Sequence, residues 1–584
     1  MAAGAKGRAG LTNYEAAWLF LELADRVEVA GDNPFKAVAY RKAARLLEGL
    51  PEPFAEAWAA GRLKGRPGIG EAIHAKLGEL IQTGTMAALE RLRREIPPGV
   101  MEMLTLPGVG PRHARTFWKE LGLEDLASLR RAAEERRLRT VKGLGPKLEL
   151  AVLRSLSQRD GAPSRQLLGL ALPLARELQE CFSGLPAAQR VEIAGSVRRR
   201  CELVGDVDLV VATGCPEEIG RFFLGLPTLR EAAIPEFGRL TAVHRSGVGL
   251  EVILAEPREF PAIWLRTTGS KAHYARLRRR AEERGLLDGR GLIGGGRAPV
   301  DEEGIYRLLG LAYVPPELRE DRGEFEAAEK GELPALIRED DLRGDLHLHT
   351  EWSDGTASLR EMREAAARLG YEYLAVCDHS RSLAIAHGLD GDRLRAQRRE
   401  IAELNAEGHP VQLLAGVEVD ILADGRLDLE DDLLAESDLV VASIHSGFRQ
   451  EPERLFARAA AALRHPHVDI LAHPTGRLLG HRPPYALDVP ALIELAVETG
   501  TVLEINASPD RLDLADVYVR QVVEAGGLVA IDTDAHSPDH LAYREYGVAT
   551  ARRGWCEARN VLNTRPLGEL LAWLSLPKEQ RFPA

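Results

Sequence analysis

The hydrophobic pattern changes character twice along the chain. From residue 14 to about 160, apolar residues recur at helical spacing, as in "YEAAWLFLELADRVEVA" and "AKLGELIQTG", which predicts an all-helical front. From about 161 strands enter: "RVEIAGSVRRRCELVGDVDLVVAT" (190–213) reads as a strand, a Gly-Ser turn opening an Arg-rich helix, and a second strand. Beyond 344, short apolar runs end in His, Glu or Asp and alternate with helical stretches such as "REMREAAARLG" and "ALIELAVETG". That order predicts a β/α barrel whose C-terminal strand ends converge on one pocket.

Glycine punctuation sharpens the front. "RPGIGEAIHAKL", "LPGVGPRHARTF" and "VKGLGPKLELAVL" each set a G-x-G turn before a helix, through Gly68 and Gly70, Gly108 and Gly110, and Gly143 and Gly145. Such a turn presents backbone N–H groups at the positive end of a helix dipole, suited to phosphate without reading any base. Three of them, each near a basic residue, predict helix-hairpin-helix binding of a DNA backbone.

Charge supports this division. The chain of 584 residues carries a net −12, yet residues 1–160 hold 26 Lys and Arg against 20 Asp and Glu. A basic front with an acidic remainder suggests an anionic partner ahead and carboxylate-rich metal sites behind. Five cysteines form no C-x-x-C pair, which argues against a disulfide framework or thiolate zinc site. No apolar run is long enough for a membrane span and the first residues lack a signal-peptide core, so a cytoplasmic protein without membrane contact is expected.

Asp206 and Asp208 stand two apart on a predicted strand, so their carboxylates share one face. On a buried strand, such a pair calls for a cation, and hard oxygen ligands favour Mg²⁺ or Mn²⁺. At this point "AGSVRRR...VGDVDLVV" resembles the nucleotidyltransferase palm of family X DNA polymerases, the polymerase beta group. "TTGSKAHYARLR" (267–278) resembles that family's thumb segment, and "EEGIYRLLGLAYVPPELRE" (302–320) its end. The resemblance implies two metal ions on Asp206 and Asp208, a third carboxylate at Glu251, and nucleotide contacts from Gly195, Ser196, Arg199, Thr268, Gly269 and Ser270. It also implies that Lys76 either contacts phosphate or serves as the Schiff-base lysine of a deoxyribose-phosphate lyase.

The chain departs from that family's pattern in four places. The third carboxylate is Glu251 rather than Asp, and Ile253 stands where Arg is expected two residues later. Arg266-Thr267 replaces an aromatic pair, and Tyr274 replaces an Asn near the base. A carboxylate displaced by about 1 Å can cost about 10²-fold in rate. Polymerase activity is therefore expected to be weakened or strongly dependent on Mn²⁺.

In "GDLHLHTEWSDG", His347 and His349 project from one strand face, with Asp354 following. Later runs end at His379, Glu418, His445, His473, Asp534 and His536. So many ligand-type residues at strand ends point to metal binding rather than to isolated core histidines. The segment from 344 to 570 resembles the polymerase and histidinol phosphatase (PHP) domain, which implies that these nine residues hold a three-metal cluster of Mn²⁺, Zn²⁺ or Fe for phosphoester hydrolysis.

The expected architecture is multidomain: an α-helical helix-hairpin-helix region, an α/β nucleotidyltransferase palm with its thumb, and a distorted TIM-like β/α PHP barrel. The boundaries are 1–90 (helical, first hairpin), 91–160 (fingers-like, two further hairpins), 161–257 (palm), 258–322 (thumb), 323–343 (linker) and 344–584 (PHP). This order is similar to that of bacterial family X polymerases, which implies a monomer acting on gapped or nicked DNA with deoxynucleoside triphosphates in base excision repair. The implied activities are gap filling and Mn²⁺-dependent 3'-5' exonuclease action, with abasic-site endonuclease or 3'-phosphatase activity alongside. Two other readings stay open: a 3'-end nuclease whose palm only grips DNA, and a small-molecule phosphatase of the histidinol phosphatase type.

Overall fold

The structure, a computed structural model, describes residues 11–582 apart from 12, 49, 51, 67, 107–108, 142–143, 146–147, 151, 154–155, 157–164, 237, 295–300 and 384–385. The front is helical as the periodicity predicts, with helices Asn13–Ala30, Pro34–Glu48, Glu71–Thr83, Ala87–Glu95, Pro111–Leu121 and Leu126–Glu134 among its elements. The boundary expected near residue 90 is not a break in the core. Phe20, Leu47 and Leu77 pack in one apolar cluster with Met103, Phe117 and Leu129, and Arg93 bonds back to Glu22. The two halves share one core.

A five-stranded mixed sheet follows, in the order Ala188–Ile193, Asp206–Thr213, Gly249–Ala255, Arg239–His244, Leu229–Glu236. Asp206–Thr213 runs parallel to Gly249–Ala255 with Asp208 opposite Glu251. One face of the sheet shares a core with helix Leu168–Ser183, through Leu209, Val211 and Leu178. The other meets Ile263, Leu277 and Ile305 of the following helices, so palm and thumb also share a core. The expected linker 323–343 is no free tether. It carries helix Glu324–Lys330, whose Phe325 joins that same core and whose buried Glu324 bonds His273 Nδ1 at 2.6 Å.

The C-terminal part is a parallel barrel of seven strands, in sequence order from Gly344–Leu348 to Val529–Asp532. A bridge between Leu348 and Ala535 brings its ends together. It has one strand fewer than the eight of a TIM barrel. Its strands are buried on both faces, as at Gly344–Leu348, Leu439–Ser443 and Val502–Asn506, because crossover helices cover the outside. Each fully buried Leu or Ile there contributes about 1.5–3 kcal/mol. The barrel docks on the palm through Leu479, Leu512 and Tyr546, which join the palm core. Ion pairs Arg477–Glu202 and Arg176–Glu545 flank that contact. Among the described residues, no helix is long and apolar enough to cross a membrane.

Candidate metal centres

In the palm, Asp206, Asp208 and Glu251 present carboxylate oxygens within 4.8 Å of one another. The pairing of Asp208 with Glu251 on adjacent strands produces this cluster. Gly195 lets the turn at 194–196 lie against it: its φ is +60°, and a Cβ there would overlap the Asp208 carboxylate. Burial and the neighbouring Asp206 and Glu251 push the Asp208 carboxyl up to about 8. Like charges this close call for a cation, and an all-oxygen donor set fits Mg²⁺ or Mn²⁺.

Arg239 is the palm residue that sequence reading missed. It grips Glu251 with two bonds, Nε to Oε1 at 2.8 Å and Nη2 to Oε2 at 3.0 Å. Strand register sets Arg239 directly opposite Ile253. A guanidinium on the neighbouring strand thus pairs with Glu251, a relation that no spacing along the chain encodes.

The residues expected at the nucleotide are tightly tied. Arg199 donates from Nε to Glu320 Oε1 at 2.9 Å and from Nη1 to the Thr268 carbonyl at 2.7 Å. Thr268 is buried, its hydroxyl accepting from Arg198, so it braces the two arginines rather than offering its side chain to a ligand. Arg198 also pairs with Glu302, as does Arg319. Burial opposes ionisation of Glu302, but the two guanidiniums hold its carboxyl down at about 2. Ser270 caps helix Lys271–Glu283 by accepting from the His273 N–H, and Gly269 lies extended before it. Ser196 passes its carbonyl to the Cys201 N–H at 3.0 Å.

At the front, Gly70 and Gly110 are the N-caps of helices Glu71–Thr83 and Pro111–Leu121. A Cβ at Gly70, Gly110 or Gly145 would meet nothing within 4 Å, leaving room for a close approach to the backbone. Gly108 and Gly143 lie outside the described residues. Gly68, Gly70 and Lys76 line a cavity of about 820 Å³ with Tyr40, Arg66 and Arg91. Gly110 faces a cleft of about 450 Å³ shared with His481 and Asp510 of the barrel portion.

The barrel brings all nine expected residues together. Glu418 is the hub: its carboxylate lies 2.6 Å from His379 Nδ1, 3.2 Å from His473 Nε2, 3.4 Å from His445 Nε2 and 3.6 Å from His347 Nε2. Asp534 lies 3.0 Å from His349 Nε2, and Asp354 lies 3.4 Å from His536 and 3.6 Å from His379. Three overlapping groups have metal-binding spacing: His349 with Asp354, His379 and His536; His347 with His349 and Asp534; and His379 with Glu418 and His445. Buried His347 Nε2, both ring nitrogens of His349, Glu418 Oε2 and His473 Nδ1 make no hydrogen bond. Orphaned buried donors and acceptors are costly, and a shared cation satisfies them. Mixed imidazole and carboxylate donors fit Mn²⁺, Zn²⁺ or Fe.

The backbone is bent to achieve this. His473 and Asp534 take φ values of +29° and +52°, in a region that costs a non-glycine residue about 1–3 kcal/mol. Gly355 closes the turn after Asp354, where a Cβ would strike the backbone of His349 and Thr350. Burial works against charging His536, yet contact with Asp354 lifts it to about 9; burial, His536 and His379 together push His349 down to about 3.

A supporting layer escaped sequence reading. Buried Glu504 accepts from His347 Nδ1 and from the His473 N–H, each at 2.6 Å. Asn506 donates to Asp534 at 3.0 Å, and Asp420 accepts from the His445 N–H at 3.2 Å. Asp378 holds Thr350, Ser353 and Gln397. Strand Val502–Asn506, which carries Glu504 and Asn506, was not among the ligand-ending runs of the sequence. Its signal is a Glu and an Asn inside an apolar strand, "VLEIN".

Comparison with known proteins agrees with this layout. Models of a helix-hairpin-helix domain, a SAM-like helix-hairpin-helix tandem, a DNA polymerase beta thumb and a PHP domain match residues 11–86, 100–157, 263–320 and 345–508. The chain is 31% identical over 203 residues to a probable phosphatase of Edwardsiella ictaluri, covering 33% of this chain and 78% of that one. It is 30% identical over 209 residues to one of Syntrophotalea carbinolica, covering 34% and 82%. Over 557 residues it is 39% identical to the DNA polymerase/3'-5' exonuclease PolX of Bacillus subtilis, covering 94% of this chain and 96% of that protein. With a carboxylate cluster in a palm, a nine-residue pocket in a PHP barrel and a relative matched almost end to end, the chain belongs to the PolX family.

Proposed function

We propose that the protein is a two-site DNA repair enzyme: a gap-filling DNA polymerase in the palm and a 3'-5' exonuclease in the PHP barrel. The observation that carries this reading is the presence, in one PolX-family chain, of two separate clusters of metal-type ligands, one in the palm and one in the barrel. Divalent ions bound there supply the charge neutralisation and nucleophile activation that phosphoryl chemistry needs. Asp206, Asp208 and Glu251 hold the palm pair, Mg²⁺ or Mn²⁺; the nine barrel residues hold a cluster of Mn²⁺, Zn²⁺ or Fe.

In the palm, Arg199, Ser196 and the backbone at Gly195, Gly269 and Ser270 meet the triphosphate, with Thr268 acting through Arg198 and Arg199. The hairpins at Gly68, Gly70, Gly108, Gly110, Gly143 and Gly145 grip gapped or nicked DNA by its phosphates. Lys76 lines the front cavity as a phosphate contact, and borohydride trapping on an incised abasic site reveals whether it also acts as a lyase. The barrel site also suits abasic-site cleavage or 3'-phosphate removal. A cytoplasmic monomer working in base excision repair completes the proposal.

A second reading, a nuclease whose palm only holds DNA, is favoured by the clasping of Glu251 by Arg239 and of Arg199 by Glu320. A 5'-labelled primer on gapped duplex with Mn²⁺, with and without nucleotides, separates the two. Extension by the wild type supports the two-site enzyme; shortening without extension supports the nuclease.

A further inference from the structure

Arg199 does not wait freely for a triphosphate. Its partner Glu320 receives a second guanidinium, that of Arg553, which lies in the PHP portion. Arg553 Nη1 donates to the same Oε1 atom at 3.0 Å, against 2.9 Å for Arg199 Nε. The side chains of Arg199, Glu320 and Arg553 are 14%, 15% and 9% exposed, and Cys201 Sγ lies 3.5 Å from that oxygen. Arg553 is the fixed member. It ends helix Arg544–Arg553, pairs through Nη2 with Asp516 at 2.8 Å, and donates to the Arg199 carbonyl at 2.9 Å. Arg199 caps the four-residue helix Gly195–Arg198, and apart from Glu320 its guanidinium is held by the Thr268 carbonyl. Three residues on, Glu202 is held by Arg477 of the barrel portion, so the PHP portion anchors both ends of this palm turn.

A carboxylate this enclosed is costly to strip of its only counter-charge, but much less so when a second guanidinium stays. We infer that Arg553 is a positioning residue for the palm: it keeps Glu320 paired when Arg199 leaves for the nucleotide triphosphate, so the PHP portion sets how tightly the palm binds its nucleotide. This rests on the reading of Arg199 as a triphosphate contact. The Arg553 bond to the Arg199 carbonyl holds the backbone in place while the side chain swings, and Asp516 keeps a second partner, Arg322, at 3.1 Å.

The arrangement makes predictions of opposite sign for two members of one ion pair. Single-nucleotide insertion on gapped DNA by the full chain gives KM for nucleotide and kcat. Arg553→Gln leaves Glu320 with Arg199 alone and raises KM about tenfold, the scale of one charge-assisted bond. In that variant kcat and the exonuclease rate stay within about twofold, the latter reporting an intact fold. Glu320→Gln frees Arg199 and lowers KM, and Glu320→Gln with Arg553→Gln returns KM close to that of Glu320→Gln alone. Arg553→Lys, which keeps the charge, falls between wild type and Arg553→Gln. A purely structural role for the cluster makes the double variant worse than either single one, and that outcome overturns the inference, as does an unchanged KM in Arg553→Gln. Arg199→Gln serves as the control: if it leaves KM unchanged, the reading of Arg199 itself fails. If it raises KM while Arg553→Gln does not, only the inference fails.

Discussion

The palm gathers three carboxylates from two adjacent strands, none fully buried, whereas the PHP barrel gathers nine residues from six strand ends and encloses most of them. The palm cluster has little behind it: Glu251 leans on Arg239, and Asp208 on the space vacated by Gly195. The barrel cluster has a supporting layer in which Glu504, Asn506 and Asp420 bond members of the cluster and Asp378 braces the turn at 350–353. The difference matches the chemistry each is asked to do. A polymerase site assembles around an incoming nucleotide that itself brings oxygen ligands, so a sparse protein set suffices. A hydrolytic cluster of several ions has to be preorganised by the protein, and outer residues orient the imidazoles.

Removing the ligands gives the largest test of this contrast. His347→Ala with His349→Ala should lower primer shortening on the order of 10³-fold or more while sparing extension; Asp206→Ala with Asp208→Ala should do the reverse. Loss of both activities in either pair would mean that the two sites are not independent. Next in size is the supporting layer. Glu504→Gln should weaken barrel metal affinity about 10–100-fold, read by metal content after dialysis, with palm extension unaffected. Equal metal content in mutant and wild type would show that Glu504 does not orient His347.

The palm offers a pH test. With the Asp208 carboxyl pushed up to about 8 and Asp206 raised beside it, the pair is expected to hold a proton at neutral pH until a metal displaces it. Mn²⁺ affinity of the palm should therefore rise about tenfold per pH unit up to pH 8 and level off above it. Calorimetry at pH 7 in two buffers of different ionisation enthalpy should find close to one proton more released on Mn²⁺ binding by the wild type than by Asp208→Ala, the barrel histidines contributing equally to both; an equal release in the two would contradict the raised carboxyl. The smallest effect is expected from Glu251→Asp, which should raise incorporation by up to about tenfold if the extra methylene misplaces the third carboxylate. With Arg239 gripping Glu251, the shorter side chain also has to give up part of that pair. No rise in incorporation would mean that methylene length is not what weakens this site.

Much of both sites was legible because local spacing carries it. Two carboxylates at i and i+2 before "LVVA", and two histidines at i and i+2 in "HLH", can share a face only on a strand. Repeated apolar runs ending in ligand residues can converge only if the strands are parallel. Arg239 was illegible because its partner Glu251, twelve residues and a turn further on, is set by antiparallel register rather than by spacing along the chain. Glu504 was illegible because a single acidic residue within an apolar strand reads as an anomaly until its histidine is seen beside it. The helix at 324–330 hid in a charged stretch because its buried face is short, and the shared helical core hid because sequence periodicity shows that a face is apolar without showing which face it meets.

The sequence by itself determined the order of parts, the helical front, the strand-borne carboxylate pair and the nine residues that meet in the barrel, since periodicity and short-range spacing are properties of one chain segment at a time. Only the tertiary structure decided that Arg239 clasps Glu251, that Glu504 bonds His347, and that Arg199 shares Glu320 with Arg553 across the palm and the barrel. Each of these is a contact between segments whose separation is set by packing and register, and interactions of charge and hydrogen bonding depend on that final distance rather than on the distance along the chain.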